Sequence, residues 1–291
     1  MNPKSGTMMA PKHLSSIIEK FSAAGYLTEV LMTGGRGDAR DFAYEYGSDV
    51  DKLVVSGGDG TFNEVVDGLI SAGHKTEIGY IPAGSTNDFG KSVGLSNDVN
   101  GSTDRIIYGT AKPVDIGSFN GRYFSYVASF GAFTSATYSV PQNLKNIFGH
   151  AAYIIGGAKE LTKLKPIHAK FTTDPGSENE SVLEDDYLIG AVCNSRSIGG
   201  ILKLDKLDVD MNDGIMEILL VKMPHNVIEL NEIAISMLSG NFKSKHIDTL
   251  SAKEVRIEIE EGVHWTIDGE YEEGSEVCEI KMLQSAINLI R

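Results

Sequence analysis

The sequence predicts an α/β fold in two parts, an N-terminal domain with a mostly parallel sheet and a β-rich, antiparallel, sandwich-like second domain. Three observations predict it. Strand-like and helix-like periodicities alternate through the first third of the chain, and glycine-rich turns stand at the ends of the strand-like pieces. After about Pro113 the texture becomes mainly β, with Gly, Asn, Asp and Pro in the turns.

Leu14, Ile17, Ile18 and Phe21 fall at helical spacing, and Gly25 supplies a stop. Thr28 to Met32 reads as a strand, and Asp38 caps a helix through Ala39 to Tyr46. Leu53-Val54-Val55 is a short apolar strand that runs straight into Gly57-Gly58-Asp59-Gly60. Thr61 opens an amphipathic helix with Val65, Val66, Leu69 and Ile70 on its buried side. Ile78 to Ile81 is the next strand, broken by Pro82 and Gly84. In the second part, Val114 to Gly117, Tyr123 to Ala128, Ala169 to Thr173, Tyr187 to Asn194, Met216 to Lys222 and Val255 to Ile259 read as strands. One helix is expected around Val227 to Leu238, with Val227, Leu230, Ala234, Met237 and Leu238 on one face.

Composition narrows the function. The 291 residues carry 26 Lys plus Arg against 40 Asp plus Glu, a net charge of −14, which argues against a general nucleic-acid binder. Cys193 and Cys278 are too few for a disulfide framework and fit a reducing cytosol. The opening Met1 to Gly6 has no apolar core, so no signal peptide is expected there. The longest uncharged run, Tyr123 to Leu144, is too rich in Ser, Thr and Gly for a membrane span. The seven histidines form no ligand pair.

Four polar, glycine-containing turns end or flank the successive βα units: Asn2 to Gly6, Thr33 to Asp38, Gly57 to Gly60 and Pro82 to Gly90. Glycine lets backbone N–H groups approach an anion, and a helix N-terminus adds a favourable dipole. Each turn alone is punctuation; four together point to a nucleotide site. The second of the strand-ending turns also offers the hydroxyls of Ser85 and Thr86 and the Asn87 amide to a ribose or phosphate, and the Asp88 carboxylate to a cation. The spacing is not that of a Walker A loop.

Asn2-Pro3-Lys4-Ser5-Gly6, Gly57-Gly58-Asp59-Gly60-Thr61-Phe62-Asn63-Glu64 and Gly84-Ser85-Thr86-Asn87-Asp88-Phe89 together resemble the diacylglycerol kinase catalytic domain, of the lipid-kinase superfamily that includes sphingosine kinases. The nearest likeness is to the soluble bacterial diacylglycerol kinases. Asn212-Asp213-Gly214 and Asp268-Gly269-Glu270 extend it over nearly the whole chain. The pattern departs in two places: only Met1 precedes Asn2 where the family has an apolar strand, so either the sequence starts late or the first strand is missing, which would weaken the sheet beside the phosphate loop; and Ser85 stands where Thr is common.

The resemblance implies an ATP-dependent kinase with Mg²⁺, residues 1–113 forming the ATP domain, 284–291 returning to it and 114–283 forming the lipid domain. ATP would lie across Asn2, Pro3, Lys4, Ser5, Gly6, Thr33, Gly58, Asp59, Gly60, Thr61, Phe62, Asn63, Glu64 and Ser85. A carboxylate beside a polyphosphate is unfavourable unless a cation bridges them, so Asp59 itself implies Mg²⁺. Its other role is a helix cap. Glu270 is the candidate base for the acceptor hydroxyl, Asp268 is either structural or stands behind it, and in isolation the same Asp-Gly-Glu would read as a solvated hairpin turn. Asp213, with carbonyls of Asp210 and Ile215, resembles a structural Mg²⁺ site, against the alternative of an ordinary turn. Asp115 is a candidate bridge or a plain strand-edge carboxylate.

Diacylglycerol, giving phosphatidic acid, is the acceptor the resemblance favours, in phospholipid metabolism. An NAD kinase-like enzyme and a catalytically silent lipid- or nucleotide-binding module are the alternatives. Lys145, Lys159, Lys163, Lys165 and Lys170, against Glu160 alone, form a basic stretch suited to transient contact with an anionic bilayer. A cytoplasmic protein, peripheral at the inner membrane surface, is expected, and a homodimer is left open.

Overall fold

A computed structural model describes residues 1–6, 9–131, 164–198, 202–204 and 209–291. The chain divides into two compact units, Met1–Ile116 with Gln284–Arg291, and Gly117–Leu283.

The first unit contains α1 (Met9–Lys12), α2 (Leu14–Ala23), α3 (Asp38–Tyr46), β1 (Lys52–Gly57), α4 (Asp59–Ala72), β2 (Glu77–Pro82), α5 (Asp88–Ser92) and α6 (Val99–Tyr108). β1 and β2 pair in parallel from Lys52↔Glu77 to Gly57↔Pro82. Asn288 and Leu289 of the last strand pair in parallel on the far side of β2. Because β1 and β2 run the same way in register, the turns after Gly57 and Pro82 leave the sheet from one edge. Strand carboxyl ends are where such sheets bind ligands. Ile17 and Phe21 of α2 pack with Ile81, Ile106, Ile107 and Ile290. Ile81, next to the end of β2, ties that strand end to this core. Helix α6 was not expected from the periodicity; Asp98 caps it by accepting the Asn100 and Gly101 N–H groups at 3.2 and 3.0 Å.

Residues 28–32 form no strand. The Leu31 carbonyl accepts the Met1 ammonium at 2.8 Å, and the Thr33 N–H donates to the Met1 carbonyl at 3.0 Å. On its other side, Asn2 donates its N–H to the Ser56 carbonyl at 2.8 Å. Two such bonds do not make a ladder, and neighbouring Leu27 is fully exposed.

Between the units the chain runs through β3 (Ala111–Phe119). The second unit continues with β4 (Arg122–Phe124), β5 (Val127–Gly131), β6 (Ile167–Thr173), β7 (Ser181–Cys193), β8 (Ser197–Ile198), β9 (Leu202–Lys203), β10 (Met216–Lys222), α7 (Val227–Ser239), β11 (Ile247–Ala252), β12 (Glu254–Ile259), β13 (Trp265–Ile267), β14 (Glu270–Glu272) and β15 (Val277–Ile290). Its ladders are antiparallel: β7 pairs with β5, β6 and β10, β12 with β6 and β15, and β13 with β5 and β14. Trp265 fills the core, its ring 4.8 Å from Phe119 and 5.0 Å from Phe130. The single strand expected over Tyr123 to Ala128 is two, broken at Ser125 and Tyr126. In α7 the buried side is Leu230, Ile233, Ala234 and Met237, while Leu238 points outward at 53% exposure, against the expected face. Cys193 and Cys278 are buried, unpaired core thiols. Burial first, then the Glu217 charge, pushes the Cys193 pKa up, so it is no nucleophile.

Candidate active site

Three turns converge in the first unit. A Cβ built on Gly84 would lie 2.7 Å from the Gly58 Cα, and one on Gly58 would lie 3.3 Å from the Ser5 Oγ. One on Gly6 would meet the Ala83 carbonyl oxygen at 2.3 Å. The turns 2–6, 57–60 and 82–85 are thus packed closely enough that a side chain at Gly6 or Gly84 would push them apart. Gly6 also sits at φ 52°. Gly6→Ala therefore combines a left-handed residue with a clash and should cost about 1–3 kcal/mol of stability and raise the KM for ATP. Thermal melts and steady-state kinetics read both, and an unchanged melt would show that the turns can separate freely.

Asn2 stitches this junction together. Its Nδ2 donates to the Thr61 Oγ1 at 3.0 Å, and its Oδ1 accepts the Lys4 N–H at 3.0 Å. Ser5 is buried at the turn, Pro3 is half-buried and Lys4 exposed. Thr33 is buried and tied to Met1. Gly60 and Ser85 are exposed, while Gly58, Thr61 and Asn63 are half-buried. Two residues of the motif have partners within the fold. Phe62 is fully buried, stacked on Phe89 at 4.3 Å, and its N–H donates to the Gly58 carbonyl, so it belongs to the core. The Glu64 carboxylate accepts the Gly37 N–H at 3.0 Å and holds the turn before α3. The Asp38 carboxylate likewise closes that turn, accepting from Gly34 and Gly35 at 2.7 and 2.9 Å, and does not cap α3.

Asp59 does not cap its own helix. Its Oδ2 accepts the Asp88 N–H at 2.9 Å, with the Phe89 and Asn87 N–H groups also directed at the carboxylate, so it bridges two turns. The other oxygen, Oδ1, is buried and has no hydrogen-bond partner among the described residues. Burial raises the Asp59 pKa above the ordinary carboxylate range, opposed by the N–H groups of Asp88 and Phe89, by Lys91 and by the Asn87 N–H. Tyr80, on β2, was not singled out in the sequence because it looks like one more core aromatic. Its buried hydroxyl lies near enough to Asp59 to feel that charge yet falls short of hydrogen-bond geometry. Burial and then Asp59 push its pKa up. Asn87, at φ 52°, closes on Gly84: it accepts the Gly84 N–H at 2.9 Å and donates to the Gly84 carbonyl at 3.0 Å. Its amide is therefore occupied by the turn and is not offered to a ribose. Asp88 is 2% exposed. Asp115, fully buried, accepts the Ser285 N–H at 2.7 Å and pins the returning C-terminal segment within the first unit.

Glu270, Asp210, Asp213 and Ile215 belong to the second unit. Asp268 and Gly269 have φ of 49° and 83° and join β13 to β14, with Ile267 opposite Glu270. Two consecutive positive φ angles make a type I′ hairpin, which explains the Asp-Gly pair. Within the turn Asp268 is buried, at 7% exposure, while Gly269 is exposed. Glu270 is half-exposed, and its Oε2 meets the Arg122 Nη2 at 3.0 Å; Arg122 also pairs with Glu272. Nothing in the sequence singles out Arg122. The Asp213 Oδ1 accepts the Ile215 N–H at 2.9 Å, and the Asp210 Oδ1 accepts the Asn212 N–H at 3.2 Å. Each carboxylate closes its own turn, and no cluster of three His, Cys, Asp or Glu residues suited to a metal occurs among the described residues. Lys145, Lys159 and Lys163 lie outside the described residues, whereas Lys170 meets Glu258 at 3.5 Å.

Comparisons with known proteins agree with this arrangement. Residues 1–119 match the diacylglycerol kinase catalytic domain, and residues 127–291 match the YegS C-terminal NAD kinase beta sandwich-like domain. The diacylglycerol kinase of Bacillus subtilis (strain 168) is 35% identical over 273 residues, 93% of this chain and 88% of the relative. That of Staphylococcus epidermidis (strain ATCC 12228) is 34% identical over 275 residues, 93% and 84%. Two solved structures from Bacillus anthracis str. Sterne superpose with TM-scores of 0.81 and 0.75 at 27% and 25% identity, each covering 99% of this chain and 94% of its own. The second of these is described as a diacylglycerol kinase. With both units matched and relatives of this similarity covering nearly the whole chain, the chain belongs to the diacylglycerol kinase family, the ATP-dependent lipid kinases.

Proposed function

We propose that this kinase transfers the γ-phosphate of ATP to the free hydroxyl of diacylglycerol, giving phosphatidic acid. The observation that carries the nucleotide half is the convergence of the 2–6, 57–60 and 82–85 turns on a buried, under-satisfied Asp59. The acceptor follows from the relatives, which are named diacylglycerol kinases at 35% and 34% identity. In this reading Asn2, Ser5, Gly6, Gly58, Gly60, Thr61 and Ser85 cradle the polyphosphate, and Thr33 borders the nucleotide. Glu270 takes the hydroxyl proton as the oxygen attacks phosphorus and ADP leaves.

A buried carboxylate oxygen without a donor suits a hard cation, so Asp59 would hold Mg²⁺. When bound, Mg²⁺ offsets the phosphate charge. A second, structural Mg²⁺ at Asp213, with the carbonyls of Asp210 and Ile215, is also proposed from the resemblance; both aspartates are exposed in their turn. Asp213→Ala should lower the melting temperature in Mg²⁺ and narrow the stabilisation that Mg²⁺ gives, with activity reduced less than tenfold, roughly the weight of a supporting metal contact. Equal melts with and without Mg²⁺ in the wild type would remove that site.

The kinase reading is tested with labelled ATP and mixed micelles of dioleoylglycerol, dihexanoylglycerol, monoacylglycerol, sphingosine or NAD. Dioleoylglycerol is expected to give the highest kcat/KM, with shallow chain-length dependence, because apolar contacts discriminate by only about 1–3 kcal/mol per methylene. Sphingosine or NAD exceeding every diacylglycerol would overturn the acceptor.

No helix among the described residues is long and apolar enough to cross a membrane. Transient, peripheral contact with the anionic inner membrane surface from the cytoplasm is proposed through Lys145 to Lys170. Vesicle binding should fall with added salt and on replacing Lys159, Lys163 and Lys165 by Ala, each cation contributing about 1 kcal/mol. Affinity indifferent to both changes would rule this patch out. Sedimentation at micromolar concentration decides between monomer and homodimer.

A further inference from the structure

We propose that Asp268 is the positioning residue for Glu270, setting the place from which that carboxylate acts; this rests on the reading of Glu270 as the base. The Asp268 carboxylate accepts three consecutive backbone N–H groups, those of Ser125, Tyr126 and Val127, at 2.5, 3.0 and 3.0 Å. Its own N–H donates to the Val127 carbonyl at 2.9 Å, so the contact between the turn and this segment runs in both directions.

The same segment is held from its other side. The Asn194 Nδ2 donates to the Ser125 carbonyl at 3.3 Å, and the Asn194 N–H donates to the Tyr126 carbonyl at 2.9 Å. Every N–H and C=O of residues 125–127 therefore has a partner, either Asp268 or Asn194. Both side chains are buried, Asn194 completely and Asp268 to all but 7%. A buried carboxylate is retained only when hydrogen bonds replace its hydration, and three N–H donors do that here.

Asp268 is two residues from Glu270 and occupies the first position of the I′ turn that starts β14. An ordinary I′ turn needs Asp or Asn for its φ alone and leaves the side chain in water. This one uses the side chain to bolt the turn to the gap between β4 and β5. The strand break at Ser125 and Tyr126 is the other half of the same device: the N–H groups that leave the ladder are those Asp268 collects. Arg122, in the strand just before the gap, then meets the Glu270 carboxylate itself at 3.0 Å. Backbone and side chain of Glu270 are thus fixed from one segment, 122–127. Displacement of a catalytic group by about 1 Å costs on the order of 10²-fold in rate, which is the effect expected when the bolt is removed.

The test is a double-mutant cycle on the full chain with ATP and dioleoylglycerol micelles. Asp268→Ala should lower kcat about 10²-fold with the KM for ATP within about twofold, since Asp268 acts through geometry at the reacting oxygen. Added to Glu270→Gln, it should cost less than about threefold more, because both changes remove one function. Hydrogen exchange should show amides 125–127 losing protection in Asp268→Ala and keeping it in Glu270→Gln. Should Asp268→Ala not fold, Asp268→Asn, which keeps the volume, the φ preference and one acceptor, enters the same cycle with an expected loss of about tenfold. Losses that multiply in the double variant, or normal kcat in a folded Asp268 variant, would overturn the proposal while leaving Glu270 as base. Normal kcat in Glu270→Gln would overturn the base and the proposal with it.

Discussion

Asp59→Asn should abolish turnover at every Mg²⁺ concentration and, at the same time, raise the melting temperature of the unliganded protein. The two effects have one origin. Asp59 holds its carboxylate largely out of water, with Oδ2 accepting the Asp88 N–H and Oδ1 buried without a hydrogen-bond partner among the described residues. Asparagine keeps an acceptor for the Asp88 N–H but removes the charge, so the turn survives while cation binding does not. The rate loss should be at least about 10²-fold, the scale of removing one electrostatic contributor to a charged transition state.

The stability half has a definite pH dependence. Burial raises the Asp59 pKa above its unfolded value, so the folded chain binds that proton more tightly. The contribution of this group to stability therefore falls as pH rises from the ordinary carboxylate range to the raised value, and stays low above it. Asparagine carries no such penalty. Its advantage should appear as pH rises through that window and vanish below it. Melts of both proteins from acid to neutral pH decide this, and a variant less stable than the wild type at neutral pH would contradict it. The advantage should also shrink when Mg²⁺ and a nucleotide are added, because only the wild type gains from the cation.

The parts of this molecule legible in the sequence are those where local and tertiary preferences agree. β1, β2 and α4 announce themselves because an apolar run, a glycine turn and a helical stripe follow one another without conflict, and the sheet puts Gly57 and Pro82 at one edge. Residues 28–32 carry an equally good strand pattern and form none, since a strand is a property of the pair; their bonds to Met1 are those of Leu31 and Thr33. Phe62 and Glu64 show a different limit. Both lie in the motif that marks the phosphate turn, yet one is core and the other secures Gly37, because a motif also records what its own fold requires. The sequence offers Asp59 two roles, phosphate neighbour and helix cap. Its bond to Asp88 is a third that only the meeting of two distant turns creates. Arg122 and Asn194 left no trace in the sequence: a lone arginine on a strand and an asparagine after one have no spacing to betray their partners about 150 and 70 positions away.

Glu270→Gln is the second large effect expected, a loss of about 10²–10⁴ in kcat with ATP binding retained. The substitution preserves size and leaves the I′ turn untouched, because the turn is fastened through Asp268 and not through Glu270. It removes one of the two carboxylates on Arg122, and Glu272 keeps the guanidinium paired. An exposed ion pair of this kind is worth about 0–1 kcal/mol, so the melting temperature should move little. The rate is another matter. A lipid hydroxyl is a poor nucleophile until its proton is taken, and a carboxamide has no basic oxygen to take it. Loss in kcat with an unchanged melt and an unchanged ATP affinity separates a chemical role from a structural one. Near-normal kcat would instead assign Glu270 to the surface ion-pair group with Arg122 and Glu272. Arg122→Gln offers the complementary reading: if the guanidinium only orients Glu270, its removal should cost less than Glu270→Gln, about tenfold, and should cost nothing further once Glu270 is already Gln.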